Sequence, residues 1–310
     1  MSGVIVAGFY KFTPMEDPAA VKARIQPTLE QSGLYGTLIL AREGLNGTLA
    51  GTRDGMNAAL SALRALPGCG DLAVRLTPSA EQPFHRLKIR IKAEIVTIGD
   101  TAIDPTVAVG DYVAPSNWNA LLRDPDVAVI DTRNAYEARV GGFEGAIDPG
   151  LASFREFPQW FARFAAERRP QKVAMFCTGG IRCEKATALA KAMLPDAEVY
   201  HLKGGILDYL DEIAPEDSLW RGECFVFDHR AAVTHGGAQG AHSLCFACRE
   251  PVSEADRASP LYSPGVSCPR CHGSRSPERI AGFRERRRQM ALAKSRGARH
   301  IGARQGVIES

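Results

Sequence analysis

The chain has 310 residues, 45% of them hydrophobic and 24% charged, with a formal net charge of +3. Those proportions are ordinary for a globular protein, the length calls for two or three domains, and the charge is too small to identify a partner. No apolar stretch is long enough to span a bilayer, and Met1–Val6 lacks the basic start and small-residue cleavage site of a signal peptide, so a membrane protein is excluded and a cytoplasmic one is expected. In that compartment the eight cysteines read as catalytic or metal-binding rather than as disulfides.

Residues 1–98 read as a small α+β domain. Val4 to Phe12 is a strand. Asp17 to Gln31 is a helix with Glu16-Asp17-Pro18 as its start signal. Leu38–Leu40 and Thr48–Ala50 flank Arg42-Glu43-Gly44-Leu45-Asn46-Gly47 as a hairpin. A helix from Asp54 to Leu66 and a strand from Leu72 to Leu76 complete the order of a ferredoxin-like split βαβ unit. Arg86 to Ile98 alternates charged and apolar residues as a half-buried strand does. Its Arg86, Lys88, Arg90 and Lys92 fit a solvated edge at least as well as a phosphate-binding face. Turn signals mark residues 99–112 as a connector.

Residues 113–222 alternate strands and helices, the pattern of a parallel α/β domain. The strand Val127–Ile130 ends in Asp131-Thr132-Arg133, and Ser153–Arg168 is an amphipathic helix. Lys172–Phe176 is a strand delivering Cys177 to the loop Thr178-Gly179-Gly180-Ile181, after which a helix carries Arg182 and Cys183 to Met193. A thiol at a strand-to-helix turn faces backbone N–H groups and the positive end of a helix dipole, both of which favour thiolate. Arg182 adds a fixed positive charge. A lone cysteine is more often a small packed hydrophobe, but this placement makes Cys177 the candidate nucleophile and Cys183 either a second thiol or a packed helix residue. The strand Val199–Leu202 leads through Lys203-Gly204-Gly205 into a last helix. His201 is left without a role.

Residues 223–310 differ in kind. Cys245/Cys248 and Cys268/Cys271 are two C-x-x-C knuckles 19 residues apart, a spacing that suits a four-cysteine structural zinc site, with His242 and His272 as substitutes nearby. A basic stretch follows, containing Arg279, Arg284, Arg286, Arg287, Arg288, Lys294, Arg296, Arg299 and Arg304. Helical spacing over Pro277–Arg296 would align several of these for RNA phosphates.

The middle domain resembles rhodanese domains through Asp131-Thr132-Arg133 with Tyr136-Glu137, Gly141-Gly142-Phe143-Glu144-Gly145-Ala146, the Cys177 loop, and Leu202-Lys203-Gly204-Gly205-Ile206. Gly142 stands where rhodaneses usually have histidine. Arg42–Gly47, Cys177–Lys185 and Gly222-Glu223-Cys224-Phe225-Val226-Phe227-Asp228 extend the likeness over nearly the whole chain to the rhodanese-like tRNA uridine hydroxylases. That resemblance implies dioxygen-dependent conversion of the wobble uridine, position 34, to 5-hydroxyuridine. Composition and spacing alone suggest sulfur transfer.

These readings give an expected arrangement. The N-terminal domain and the basic segment grip the anticodon arm, and the base splays into a pocket above an accessible Cys177. The thiolate, or its oxidised form, adds transiently to carbon 6 while oxygen reaches carbon 5. Arg182 and the loop amides steady negative charge, and Asp131 and Arg133 line the rim. The sequence has no flavin or nicotinamide fingerprint, so no organic cofactor is expected, with dioxygen as co-substrate. The alternatives are a sulfurtransferase passing persulfide sulfur from Cys177 and a non-enzymatic RNA-binding adaptor.

Overall fold

The computed structural model describes residues 3–296. One compact unit runs to Val226 and takes back Val233–Gln239, while a second comprises Phe227–Ala232 and the chain from Gly240 onward. Among the described residues no helix is long and apolar enough to cross a membrane.

The N-terminal part follows from local signals. Strand β1 is Val4–Phe12. Asp17 accepts hydrogen bonds from the N–H groups of Ala19 and Ala20 and starts helix α1 (Pro18–Gln31), with Pro18 in the first turn where no N–H is needed. Strands β2 (Tyr35–Ala41) and β3 (Gly44–Gly51) form the hairpin. Thr52 caps helix α2 (Arg53–Arg64), which buries Met56, Ala59, Leu60 and Leu63 at helical spacing. Strand β4 is Val74–Ser79. The sheet order β4-β1-β3-β2 is the expected split βαβ arrangement, extended by the parallel edge strand β5 (Leu87–Ile91).

The strand expected to reach Ile98 stops at Ile91. Glu94 turns inward, and its carboxylate accepts the N–H groups of Ile98 and Gly99 at 3.0 and 3.1 Å, a closed turn that no strand can make. Arg86, Arg90 and Lys92 are exposed along this outer edge, as the solvated-edge reading requires.

The middle part is a parallel sheet in the order β6-β10-β9-β7, built from β6 (Asp111–Val113), β7 (Val127–Asp131), β9 (Lys172–Phe176) and β10 (Glu198–Leu202). Asp111–Val113 belongs to this sheet although most of it lay in the stretch read as connector. Helices α3 (Pro115–Arg123), α4 (Ala135–Ala138), α5 (Phe157–Arg168), α6 (Ile181–Met193) and α7 (Gly205–Glu212) link the strands. Strand β8 (Gly141–Phe143) pairs with β11 (Trp220–Gly222) beside the sheet. Phe143 meets Phe176, Tyr209 and Trp220 edge-on at 4.9, 4.8 and 5.0 Å, fixing the end of β9 that delivers Cys177.

The second unit has little regular structure: a two-stranded ribbon (Ser243–Leu244 with Pro251–Val252), the short helix α8 (Glu254–Ala258), and the long helix α9 (Pro277–Ser295).

Candidate active site

Cys177 sits at the C-terminal end of β9, and three backbone devices shape its loop. Gly180, at φ +94°, precedes α6, and its N–H donates to Cys177 Sγ at 3.1 Å. The N–H groups of Ile206 and Leu207, in the first turn of α7, donate to the carbonyls of Cys177 and Thr178 at 2.9 and 3.1 Å. Gly205 lies so close beneath the loop that a Cβ there would meet the Cys177 carbonyl at 2.6 Å and the Thr178 carbonyl at 2.7 Å. Any larger residue would push the loop away.

Burial alone would push the Cys177 thiol up. The Cys183 thiol, the Arg182 charge and the amides of residues 182 and 183 outweigh it and hold Cys177 below the ordinary thiol value. Cys183 moves the opposite way, raised by burial and by the neighbouring Cys177 sulfur. It therefore serves as a neutral thiol beside a thiolate, and its sulfur also lies 3.6 Å from Thr132 Oγ1.

Two expectations are corrected. Cys177 is fully buried rather than open at the mouth of the sheet. The loop closes over it, and the Tyr10 hydroxyl packs against Gly180, within 2.9 Å of where a Cβ would stand. Asp131 and Arg133 do not line a rim. Arg133 is fully buried, its Nε and Nη2 bound to its own strand neighbour Asp131, with Nη2 also donating to the Gly141 carbonyl at 2.7 Å and the guanidinium over Phe176 and Trp220. This pair is part of the wall. Arg182 is also claimed from behind: Glu137 takes its Nη1 and Nη2 at 2.6 and 2.8 Å, both groups buried. Glu137, quoted in the resemblance but given no role, is the residue that aims Arg182. Its own place is held at the start of α4 by the Asn134 N–H, which donates to Glu137 Oε1 at 3.2 Å. His201 is buried in a niche against Thr187 and Tyr112, and burial lowers its pKa to about 4, so the ring is neutral.

The N-terminal domain completes this site, which sequence reasoning missed. Tyr10 of β1 donates to Glu184 Oε1 at 2.8 Å. Lys185, wholly buried on α6, bridges Glu43 of the β2–β3 turn at 2.7 Å and Glu94 at 2.6 Å. The Arg42–Gly47 motif therefore buttresses the helix that opens at the Cys177 loop.

An acidic but shielded thiol has a measurable signature. Iodoacetamide labelling of Cys177, followed by peptide mass spectrometry, should show a pH midpoint below about 8.5, while Cys183 and Cys224 stay unlabelled until the chain is denatured. A bulky maleimide should label Cys177 far more slowly than iodoacetamide does. A midpoint at or above the ordinary value would contradict the thiolate assignment.

In the second unit the four knuckle sulfurs, of Cys245, Cys248, Cys268 and Cys271, all lie within 4.8 Å of one another. Three of the separations are 3.8, 3.7 and 3.8 Å. Zinc–sulfur bonds of about 2.3 Å in a tetrahedron put the sulfurs about 3.8 Å apart, so this quartet can hold a metal ion such as zinc. Neither His242 nor His272 joins it. Arg284, Arg287 and Arg288 share one face of α9, and Arg286 lies on another. All four are exposed, as is Arg296 just beyond the helix, and Arg288 is paired with Glu285 at 2.9 Å. Lys294 belongs to the helix, whereas Arg299 and Arg304 lie outside the described residues.

Residues 4–95 match the UPF0176 acylphosphatase like domain, and residues 115–212 match the Rhodanese-like domain. A protein of Gluconobacter oxydans (strain 621H) named tRNA uridine(34) hydroxylase is 54% identical over 304 residues, covering 97% of this chain and 97% of its own. Its namesake in Caulobacter vibrioides (strain NA1000 / CB15N) is 53% identical over 310 residues, covering 98% of each. Another in Teredinibacter turnerae (strain ATCC 39867 / T7901) is 49% identical over 310 residues, covering 100% of this chain and 96% of its own.

Proposed function

This chain belongs to the tRNA uridine(34) hydroxylase family, and from that premise we propose that it hydroxylates the wobble uridine of tRNA at carbon 5, with Cys177 as the working nucleophile. The observation that carries the role of Cys177 is its sulfur at a strand end, 3.1 Å from the Gly180 N–H, with its thiol lowered by the Cys183 thiol, the Arg182 charge and the amides of residues 182 and 183. Carbon 5 of uracil is not electrophilic, but carbon 6 is. Addition of the Cys177 thiolate to carbon 6 makes carbon 5 nucleophilic, so it can take an oxygen atom. Dioxygen supplies that atom, and the overall balance is uridine, dioxygen, two protons and two electrons from a reductant outside this chain giving 5-hydroxyuridine and water.

Reaching the sulfur requires the 178–180 loop and the Tyr10 side chain to turn aside, and adjacent glycines make that segment the pliable part of the site. The base is splayed from the anticodon loop. The arginines of α9 hold the arm through its phosphates. Cys245, Cys248, Cys268 and Cys271 would hold a zinc ion that ties the second unit together.

A rhodanese loop also fits sulfur transfer, but the relatives' names do not favour it. The test is nucleoside mass spectrometry of tRNA from a strain lacking its own hydroxylase and supplied with this chain. The wild-type chain should restore 5-hydroxyuridine, and Cys177→Ser should reduce it at least a hundredfold, on the scale of losing a catalytic nucleophile. Restoration of thionucleosides without 5-hydroxyuridine would establish the sulfurtransferase instead.

A further inference from the structure

Four carboxylates around the Cys177 loop are each bound to a cation. Asp131 is bound to Arg133, Glu137 to Arg182, and Glu43 and Glu94 to Lys185. Glu184 is held differently. It stands in the first turn of α6, four residues after Gly180, half-buried, with Tyr10 of β1 donating to its Oε1 at 2.8 Å and Tyr112 of β6 close enough to act on its charge. Tyr10 touches Gly180, whose N–H binds the Cys177 sulfur, and Tyr112 is 50% exposed. Glu184 is thus the carboxyl of this group that can gain or lose a proton without breaking an ion pair, and it stands between the sulfur's loop and the surface.

We propose that Glu184 is the general base that removes the hydrogen from carbon 5 of the target uracil, with Tyr10 and Tyr112 as the residues that position it. The inference rests on the covalent reading above. Once sulfur is on carbon 6 and oxygen on carbon 5, carbon 5 carries both a hydrogen and a hydroxyl. Glu184 takes the hydrogen as a proton, the electrons of that C–H bond re-form the double bond between carbons 5 and 6, and the carbon–sulfur bond breaks, returning its electron pair to Cys177. No outside oxidant or reductant enters this step. The groups facing Glu184 are Tyr10 and Lys11 of β1, Tyr112 of β6 and Cys177 of the loop. Burial raises the carboxyl, the two phenols pull it back, and the Cys177 charge raises it again. A carboxylate lifted toward neutrality is a stronger base than an ordinary one.

The full-length chain is expressed in the strain lacking its own hydroxylase, and two products are read: 5-hydroxyuridine by mass spectrometry, and protein-bound tRNA on a denaturing gel. Glu184→Gln should lower 5-hydroxyuridine by about a hundredfold or more, the usual contribution of a general base, and should accumulate a protein–tRNA adduct that disappears in the Glu184→Gln/Cys177→Ser double variant. Glu184→Asp, which keeps a carboxylate, should recover part of the product and reduce the adduct. Full activity of Glu184→Gln would overturn the proposal, and so would loss of product without adduct in protein that is soluble at the wild-type level. If Cys177→Ser is inactive while Glu184→Gln is fully active, only the role of Glu184 fails. If Cys177→Ser is active as well, the covalent reading fails with it.

Discussion

Lys185→Met is expected to destabilise the first unit by about 3–5 kcal/mol, the usual effect of removing one partner from a buried ion pair. Lys185 is fully buried and answers two carboxylates, Glu94 at 2.6 Å and Glu43 at 2.7 Å. Methionine fills similar space but leaves both without their cation. The pH dependence gives the mechanism away. In the wild-type chain burial would raise Glu94, but its bonds to Lys185 and to the N–H groups of Ile98 and Gly99 prevail and hold it below the ordinary carboxylate value. Its contribution is therefore present above about pH 4.3 and is lost as pH falls through its lower folded value. Without Lys185, burial raises Glu94, and the sign reverses: the variant has its full stability below the ordinary value and loses it as pH rises through the raised one. The gap between the two chains, read from urea midpoints, should narrow as the buffer is taken from pH 7 toward pH 5. Adding Glu43→Gln and Glu94→Gln should restore much of the loss at pH 7. A gap below 1 kcal/mol would mean that the triad contributes no net stability, and a large gap insensitive to pH would mean that the loss does not run through the charge of Glu94.

That triad also marks where sequence reading reached its limit. The Cys177 loop was legible because its signals are local: an apolar strand, a cysteine, two glycines and a helix in one run. The first domain was legible because its caps, Asp17 and Thr52, and its hairpin turn act over a few residues. Lys185 with Glu94 and Tyr10 with Glu184 span 91 and 174 positions, and no periodicity announces which charge will meet which across such distances. Glu94 was hidden inside an alternation that reads as strand, because alternation reports the spacing of apolar groups and not a carboxylate that folds back onto its own backbone. Asp131 and Arg133 ended a strand where loops usually carry function. Yet the two-residue spacing lets the guanidinium return to its own aspartate, which satisfies both and removes them from the surface. Cys177 is buried in a core that gathers Ile98, Ile130, Phe157 and Cys183 from separate segments, and Tyr10 of another domain packs against its loop, so its burial is a property of the tertiary fold.

Cys268→Ser should unfold the second unit while leaving the first intact. The apolar core around the knuckles consists of Cys245, Val252, Cys268 and Cys271, with Ala247, Cys248 and Tyr262 packed against it, so four of its seven members are the sulfur donors themselves. Such a cluster buries too little hydrocarbon to offset the chain entropy of ordering it. Two tight turns present the sulfurs: Arg249 N–H returns to the Cys245 carbonyl at 2.7 Å, and His272 N–H to the Cys268 carbonyl at 2.9 Å. These turns aim the ligands, and a metal ion bound there would supply the missing free energy, about 10–16 kcal/mol for a structural zinc site near neutral pH. Purified full-length protein should contain about one zinc per chain, and Cys268→Ser should contain almost none. Limited proteolysis of the variant should cut within residues 240–296 and leave a fragment reaching about residue 239, whereas the wild type resists until a chelator is added. Acidification should release the metal as the thiolates take up protons, so the protease-sensitive state should appear on lowering the pH even without chelator. A metal-free variant as resistant as the wild type would show that the knuckles are held by packing, and the assignment of a structural ion would be withdrawn.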